Sequence, residues 1–269
     1  MPTATQPFNI MVFPNGPICN LKCDYCYYIK KTELYPETDD FRMSEELLEK
    51  FIKQYVEAQP GNGITFGWQG GEPTLRGLDF FKKAVELEKK YVPDNWKYEN
   101  SFQTNGVLLN DEWCKFLGDN NFLVGLSVDG PASVHDVYRK DRKGDPSHER
   151  VMQGLENLKK HNVDFNILCV VNKENVQHPL EVYNFFKSTG AEFVQFIPIV
   201  EDQGDGKVSS RSVTGKEYAD FLIAIFDEWL LNDLGNLYVQ IFEQAVTAWM
   251  GMQPSLCVFS KTCGNAAVI

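Results

Sequence analysis

The sequence predicts an α/β fold, a partial (β/α)6 TIM-like barrel that stays open. Six strand-like apolar runs alternate with amphipathic, helix-like runs over residues 8–198. Such alternation produces parallel strands joined by right-handed crossovers, which curl a sheet toward a barrel. Six units fall short of the eight of a closed barrel, so we expect an open barrel, with a flat doubly wound sheet as the alternative.

Each strand prediction rests on a short run rich in β-branched and aromatic residues. The runs are FNIMVFP (8–14), GITFGWQ (63–69), YENSFQT (98–104), FLVGLSVD (122–129), VDFNILCVV (163–171) and EFVQFIP (192–198). Each helix prediction rests on apolar residues at helical spacing, and Ser44 is the expected N-cap of the first helix. The helical runs are 44–58, 78–91, 111–119, 148–161 and 175–189.

The pattern changes after residue 199. The acidic and then glycine- and serine-rich stretch VEDQGDGKVSSRSVTG predicts a loop, and two long helices, 216–233 and 237–252, follow it without further strands. We therefore expect the partial barrel to span residues 1–235 and an incomplete second domain to begin within 236–269. The apolar run at the end predicts a fragment or a truncated form of a longer protein.

The composition is that of a globular protein, with 43% hydrophobic and 23% charged residues. A net charge of −11 argues against nucleic-acid partners and against anionic membranes. The sequence shows neither an apolar run of roughly 20 residues nor a signal-peptide pattern, so we predict a cytoplasmic protein. Thiols stay reduced there, and clustered cysteines then indicate metal binding or catalysis.

The stretch CNLKCDYCYY (19–28) places Cys19, Cys23 and Cys26 in a C-x3-C-x2-C pattern directly after the first predicted strand. In barrel enzymes, the loops that follow strands carry the active site. Three thiolates can hold three irons of a cubane cluster and leave the fourth iron open to another ligand. Zinc is an alternative, although no histidine lies nearby, and free structural cysteines are another.

Further motifs follow the next predicted strands. In WQGGEP (68–73), Gly70 and Gly71 would let the backbone approach a ligand closely, although such a stretch alone is a common turn. FQTNGVLLN and LSVDGPASVHDVYRK bring polar groups to the ends of strands three and four, where buried groups need hydrogen-bond partners. These groups are Gln103, Thr104, Asn105, Ser127 and Asp129. For Arg139, a surface ion pair with Asp136 or Asp141 is the alternative to ligand binding.

The remaining cysteines and the histidines carry weaker signals. Cys114 and Cys169 lie within helix and strand patterns, so both are predicted to be buried apolar residues. The four histidines lack metal-type spacing.

The three-cysteine motif, with aromatic Tyr25 before its last cysteine, resembles the signature of radical S-adenosylmethionine enzymes. The resemblance implies that the open iron of a 4Fe-4S cluster chelates the amino and carboxylate groups of S-adenosylmethionine. One electron then cleaves the cofactor, and the resulting 5′-deoxyadenosyl radical abstracts a substrate hydrogen. The family fold is a partial (β/α)6 barrel, as the strand pattern also predicts.

The resemblance also assigns roles to single residues. It implies that the GGEP motif contacts the methionyl amine and that Ser127 contacts the ribose or the carboxylate. Arg139 would pair with that carboxylate, and Val200 would line the adenine pocket. The expected cofactor-binding residues are Tyr25, Gln69, Gly70, Gly71, Glu72, Thr104, Asn105, Ser127, Asp129, Arg139 and Val200.

Within this superfamily, the motifs together with LCVFSKTCG resemble the anaerobic sulfatase-maturating enzymes. That implies oxidation of a Cys or Ser of a sulfatase polypeptide to Cα-formylglycine, with Tyr28 contacting the substrate near its target carbon. The electron donor would be reduced flavodoxin or ferredoxin. One alternative is a SPASM-type enzyme that crosslinks or otherwise modifies a ribosomal peptide. Another, from a different class, is a non-catalytic iron–sulfur or zinc scaffold that binds a partner protein.

The resemblance extends to a C-terminal SPASM-type domain, in which Cys257 and Cys263 would be metal ligands. Auxiliary 4Fe-4S clusters are expected in the full-length protein, but two thiolates cannot hold a cubane alone. In this chain, two unfilled thiols are the alternative. The family's other auxiliary cysteines and its proton-accepting aspartate would lie beyond Ile269. We therefore expect this chain to cleave the cofactor but to modify its substrate poorly.

Overall fold

The computed structural model of the chain describes residues 3–204, 206–259 and 266–269. Within these residues, one parallel sheet contains eight strands. They are β1 (Asn9–Val12), β2 (Gly63–Trp68), β3 (Lys97–Thr104), β4 (Phe122–Ser127), β5 (Phe165–Val171), β6 (Phe193–Pro198), β7 (Tyr238–Val239) and β8 (Ala266–Val268).

Eight α-helices accompany the sheet in the described part of the chain. They are α1 (Glu45–Ala58), α2 (Leu78–Tyr91), α3 (Asp111–Asp119), α4 (Ala132–Tyr138), α5 (His148–Lys160), α6 (Pro179–Thr189), α7 (Gly215–Asn232) and α8 (Gln240–Trp249). Ser44 caps α1 by accepting a hydrogen bond from the Leu47 N–H, as predicted. None of the described helices is both long and apolar enough to cross a membrane.

The strand order distinguishes between the two predicted architectures. The sheet runs β7-β6-β5-β4-β3-β2-β1-β8, so β1 to β6 lie side by side in chain order. A doubly wound sheet would reverse direction at a switch point, whereas a barrel winds one way. Since β7 and β8 lie at the two edges, the sheet is not closed, and the prediction of an open partial barrel is confirmed.

Alternating side chains give the sheet two different faces. Phe66 and Trp68 of β2 and Phe102 of β3 are buried on the face that packs against the helices. Trp68 contacts Phe81 of α2 edge to face at 5.4 Å, and Phe81 contacts Phe102 at 5.1 Å. Burial of each such ring contributes about 2 kcal/mol. Cys114 and Cys169 are buried in this core, as predicted.

Two predictions about chain elements were wrong in detail, and one helix was missed. Strands do occur after residue 199, because Tyr238–Val239 pairs with β6 and Ala266–Val268 pairs with β1. The helix predicted to begin at residue 175 begins at Pro179, after a short 3-10 turn at Asn175–Gln177. Helix α4 was not predicted. The domain boundary near residue 235 stays a prediction, and both late strands extend the sheet of the predicted first domain.

Candidate active site

A cavity of about 880 Å³ opens at the carboxyl ends of the strands. Every strand from β1 to β6, or the loop that follows it, contributes to the cavity. The predicted site residues in its lining are Cys19, Cys23, Tyr25, Cys26, Tyr28, Gln69, Gly70, Gly71, Thr104, Asn105, Ser127, Arg139 and Val200. Glu72 and Asp129 do not line it.

The three-cysteine loop is held against the end of α4 and the segment that follows it. The Lys22 N–H donates to the Lys140 carbonyl at 2.8 Å, and the Asp24 N–H donates to the Tyr138 carbonyl at 3.0 Å. The Arg142 Nε–H donates to the Cys19 carbonyl at 2.8 Å. These three hydrogen bonds were not predicted, because backbone pairing between an irregular loop and a helix end leaves no periodic pattern in the sequence.

Burial favours the protonated form of the Cys19 and Cys23 thiols. Burial raises the pKa of Cys19 to about 12, and the nearby Glu72 carboxylate adds to the shift. Burial raises the pKa of Cys23 to about 11, although the Arg139 guanidinium opposes it. Metal ligation requires the thiolate, so these protons would leave when a metal binds.

The arrangement of donor groups suits a cluster. Among the described residues, no three Cys, His, Asp or Glu side chains converge as they would around a single metal ion. A cubane needs a different arrangement, since each thiolate binds its own iron. Three thiols of one loop facing one cavity therefore fit an iron–sulfur cluster.

Gly70 and Gly71 let the end of β2 lie directly against the start of the cysteine loop. The Gly71 N–H donates to the Gly16 carbonyl at 2.8 Å, and the Glu72 N–H donates to the Ile18 carbonyl at 2.8 Å. A Cβ on Gly71 would lie 2.1 Å from the Ile18 carbonyl oxygen, and Gly70 has a φ of +111°. The close approach expected from the sequence is therefore made to the protein's own backbone.

Glu72 is buried and connects β2 to β3. Its Oε1 accepts hydrogen bonds from the Thr74 N–H at 3.1 Å and from the Thr104 hydroxyl at 2.8 Å. Its Oε2 accepts one from the Asn105 N–H at 2.8 Å. Burial raises the pKa of Glu72, although these hydrogen bonds oppose the shift. The carboxylate thus orients the residues that line the cavity.

Arg139 is not a surface residue, so the alternative of a surface ion pair is wrong. Its side chain is buried, donates from Nη1 to the Tyr25 hydroxyl at 2.9 Å and lies 3.9 Å from Asp129. Asp136 instead accepts the Ser147 N–H, and Asp141 pairs with Arg150.

The Arg139 side chain retains capacity for a ligand. Its Nε is buried and has no hydrogen-bond partner in the described part of the chain. A guanidinium with a spare N–H beside a cavity suits a carboxylate ligand.

Gln103 orients Ser127 at the cavity. The Gln103 Nε2 donates to the Ser127 hydroxyl oxygen at 2.9 Å, which leaves the Ser127 proton free to be donated elsewhere. Gly125 makes room for this contact, because a Cβ there would lie 2.2 Å from the Gln103 Oε1.

The other predicted site residues lie at the cavity mouth or outside the described part. Tyr28 contacts the Phe13 ring edge to face at 5.3 Å. Val200 is 69% exposed and follows β6. Cys263 and the side chain of Cys257 lie outside the described residues.

Comparison with known proteins identifies the family. The chain matches the family model of the Radical SAM superfamily over residues 15–186. It is 45% identical to a serine-type anaerobic sulfatase-maturating enzyme of Bacteroides thetaiotaomicron, over 98% of this chain and 67% of that protein. The chain belongs to the anaerobic sulfatase-maturating branch of the radical SAM superfamily.

Other relatives support the same family assignment. The chain is 38% identical to a cysteine-type anaerobic sulfatase-maturating enzyme of Clostridium perfringens, over 96% of this chain and 70% of that protein. The structure of native anSMEcpe with bound AdoMet and Cp18Cys peptide matches with a TM-score of 0.82 and 38% identity, over 93% of this chain and 68% of that chain. Streptococcus suis SuiB bound to S-adenosylmethionine, at 15% identity and a TM-score of 0.66 over 88% of this chain and 51% of that chain, shares the fold alone.

The chain spans about two thirds of the length of these sulfatase-maturating relatives. This agrees with the expectation that it is shorter than a full-length member. Enzymes of the superfamily use a 4Fe-4S cluster and S-adenosylmethionine. The cavity fits both, with three thiols for a cluster and, for a carboxylate, the Arg139 Nε, which has no hydrogen-bond partner among the described residues.

Proposed function

We propose that the protein oxidises a cysteine or a serine of a sulfatase polypeptide to Cα-formylglycine. The observation that carries this proposal is the meeting of three thiols and a buried guanidinium at one cavity, at the strand ends of an open parallel barrel. The names of the relatives, which include both serine-type and cysteine-type enzymes, support this substrate class.

Each group at the cavity has a proposed role. Cys19, Cys23 and Cys26 hold three irons of the 4Fe-4S cluster, and the fourth iron is left for S-adenosylmethionine. When bound, these groups supply the one-electron chemistry that removes a hydrogen atom from the substrate. Arg139 binds the methionyl carboxylate through its spare N–H, and Ser127 donates its free proton to the cofactor.

Gln69, Gly70 and Gly71 line the cavity, and their backbone is proposed to receive the methionyl amine. Thr104 and Asn105 line the cofactor pocket beside it, and Glu72 holds both in place. Tyr25 and Asp129 act together with Arg139, since the Tyr25 hydroxyl bridges the other two side chains.

The mouth of the cavity is proposed to receive the substrate polypeptide. Tyr28 lies half-buried there and would contact the peptide near its target carbon. Val200, which lines the cavity after the end of β6, would cover the adenine. The proposed electron donor is reduced flavodoxin or ferredoxin. In the full-length protein, Cys257 and Cys263 would serve auxiliary clusters within a SPASM-type domain that begins within 236–269.

The alternative of a SPASM-type enzyme that modifies a ribosomal peptide is not favoured. Relatives at 37–45% identity carry the sulfatase-maturating name. SuiB, at 15% identity, supports the fold alone.

Deuterium transfer tests the proposal at its first chemical step. The protein is reconstituted anaerobically with iron and sulfide, reduced with dithionite, and given S-adenosylmethionine with a sulfatase-derived peptide. The target Cys or Ser of that peptide is deuterated at Cβ. We expect mass spectrometry to find deuterium in 5′-deoxyadenosine, and none when a peptide deuterated only at a neighbouring residue is used. If 5′-deoxyadenosine forms without deuterium both from the peptide with a deuterated Cys and from the peptide with a deuterated Ser, the proposed substrate is contradicted.

A further inference from the structure

The side-chain amide of Asn105 reaches the first cysteine of the loop across 86 positions of sequence. Its Nδ2 lies 3.5 Å from the Cys19 Sγ and 2.8 Å from the Asn20 Oδ1. A primary amide has two N–H donors, so one serves each acceptor. The Leu21 N–H is a second donor to Cys19, at 3.4 Å from its Sγ.

The orientation of this amide is determined from both ends. The Asn105 N–H donates to the Glu72 Oε2 at 2.8 Å, which fixes the backbone. The Asn105 Oδ1 accepts the Val107 N–H at 3.0 Å, which turns the Nδ2 toward the loop. Asn105 is 7% exposed, so water does not compete freely for its donors.

The Cys19 sulfur loses its proton when a cluster forms, and its hydrogen bonding changes with it. As a protonated thiol, the Cys19 Sγ donates to the Asn20 Oδ1 at 3.6 Å. As a cluster ligand it is a thiolate without a proton and can only accept. An N–H donor to a charged sulfur is stronger than one to a neutral thiol.

The Asn105 amide favours negative charge on the Cys19 sulfur, because it donates to that atom. Glu72 supports this contact, since its Oε2 accepts the Asn105 N–H and holds the backbone in place.

We propose that Asn105 tunes the reduction potential of the cluster by donating an N–H to the Cys19 sulfur. Reduction adds negative charge to the cluster and its sulfurs, and hydrogen bonds to the sulfurs stabilise that charge and raise the potential. This inference rests on the proposed function, because it requires a cluster at Cys19, Cys23 and Cys26. It concerns a property of the cluster itself rather than a contact with the cofactor.

An anaerobic redox titration followed by EPR tests the proposal. We expect Asn105→Leu, which removes the donor, to shift the midpoint potential of the cluster to a more negative value. Asn105→Asp keeps the acceptor for Val107 but loses the N–H and adds charge, so its shift should be larger and of the same sign. Asn157→Leu is the matched control, because its amide donates to the Leu109 carbonyl and not to a sulfur. Its midpoint should equal that of the wild type.

The outcomes separate this proposal from the proposed function. If the wild type takes up the cluster and Asn105→Leu leaves the midpoint potential of that cluster unchanged, only the role of Asn105 is overturned. A wild type that takes up no cluster overturns the proposed function and this inference with it. If neither Asn105 variant takes up iron, pulsed EPR of Asn20→Asp protein carrying ¹⁵N-asparagine decides, because this substitution removes the other asparagine that lies beside Cys19. We expect coupling between the reduced cluster and an asparagine nitrogen, and its absence overturns the proposal.

Discussion

The Tyr25 hydroxyl donates a hydrogen bond to the Asp129 carboxylate, 104 positions later in the chain. Tyr25 lies between two cysteines of the loop, and Asp129 follows β4. The Asp129 Oδ1 also accepts the Val170 N–H of β5 at 3.1 Å. Asp129 therefore joins the cysteine loop to two strand ends, and Arg139 completes the group from the end of α4.

Asp129→Asn should destabilise the fold by about 3 kcal/mol, because it leaves the buried Arg139 guanidinium without a counter-charge. Urea denaturation of the protein measures the loss. Asp119→Asn removes an exposed carboxylate that pairs with Lys115, and it should cost less than about 0.5 kcal/mol. Equal effects of the two substitutions would show that the buried group does not hold the loop.

Glu88 should make the protein less stable as the pH rises. Its side chain is fully buried on α2, and burial raises its pKa from 4.5 to about 7, although the Asn100 amide donates to it at 2.8 Å. The folded state then binds the proton more tightly than the unfolded state. Stability therefore falls between about pH 4.5 and pH 7, by an amount on the order of 3 kcal/mol.

Glu88→Gln should remove this dependence. We expect the variant to match the wild type near pH 4 and to be more stable at pH 8, as measured by urea unfolding at each pH. Glu86→Gln changes an exposed carboxylate on the same helix and should retain the wild-type profile. A Glu88→Gln variant that is no more stable than wild type at pH 8 would refute a protonated Glu88 in the core.

Gly71→Ala should reduce cluster uptake. The new Cβ would collide with the Ile18 carbonyl oxygen and push the end of β2 away from the cysteine loop. Gly61→Ala, where a Cβ meets nothing within 4 Å, is the control. After anaerobic reconstitution, wild type and Gly61→Ala should each hold about four irons per chain, and Gly71→Ala clearly fewer. Full iron content in Gly71→Ala would contradict the need for this close approach.

Gln103→Leu should weaken the binding of S-adenosylmethionine about fivefold, since one hydrogen bond that orients Ser127 is lost, at roughly 1 kcal/mol. Equilibrium binding to the reconstituted protein measures the change. Gln153→Leu, on an exposed position of α5, should leave the affinity unaltered. An unchanged affinity in Gln103→Leu would mean that Ser127 needs no orienting partner.

The main strands and most helices could be predicted because their signals are local. Alternating apolar residues identified β2 and β3 to within a residue or two, and Ser44 marked the start of α1. The two late strands could not be predicted. Tyr238–Val239 has only two residues, and it becomes a strand only because β6 offers a free edge.

The lining of the cavity was more predictable than the contacts that its residues make. Motifs that follow strands predicted the cavity lining, because parallel strands end at one edge of the sheet. They could not show that Glu72 and Asp129 face the protein interior, since burial depends on contacts that are distant in sequence. The same holds for Arg142, which binds the Cys19 carbonyl from 123 positions away.

Formation of 5′-deoxyadenosine tests the central claim most directly. The protein is reconstituted with iron and sulfide, reduced with dithionite and incubated with S-adenosylmethionine, and the product is quantified by chromatography. We predict product from the wild type and from Cys114→Ala, whose cysteine is buried in α3, and none from Cys23→Ala. An iron-loaded wild type that forms no product, or a Cys23→Ala variant that forms as much as wild type, would contradict the account.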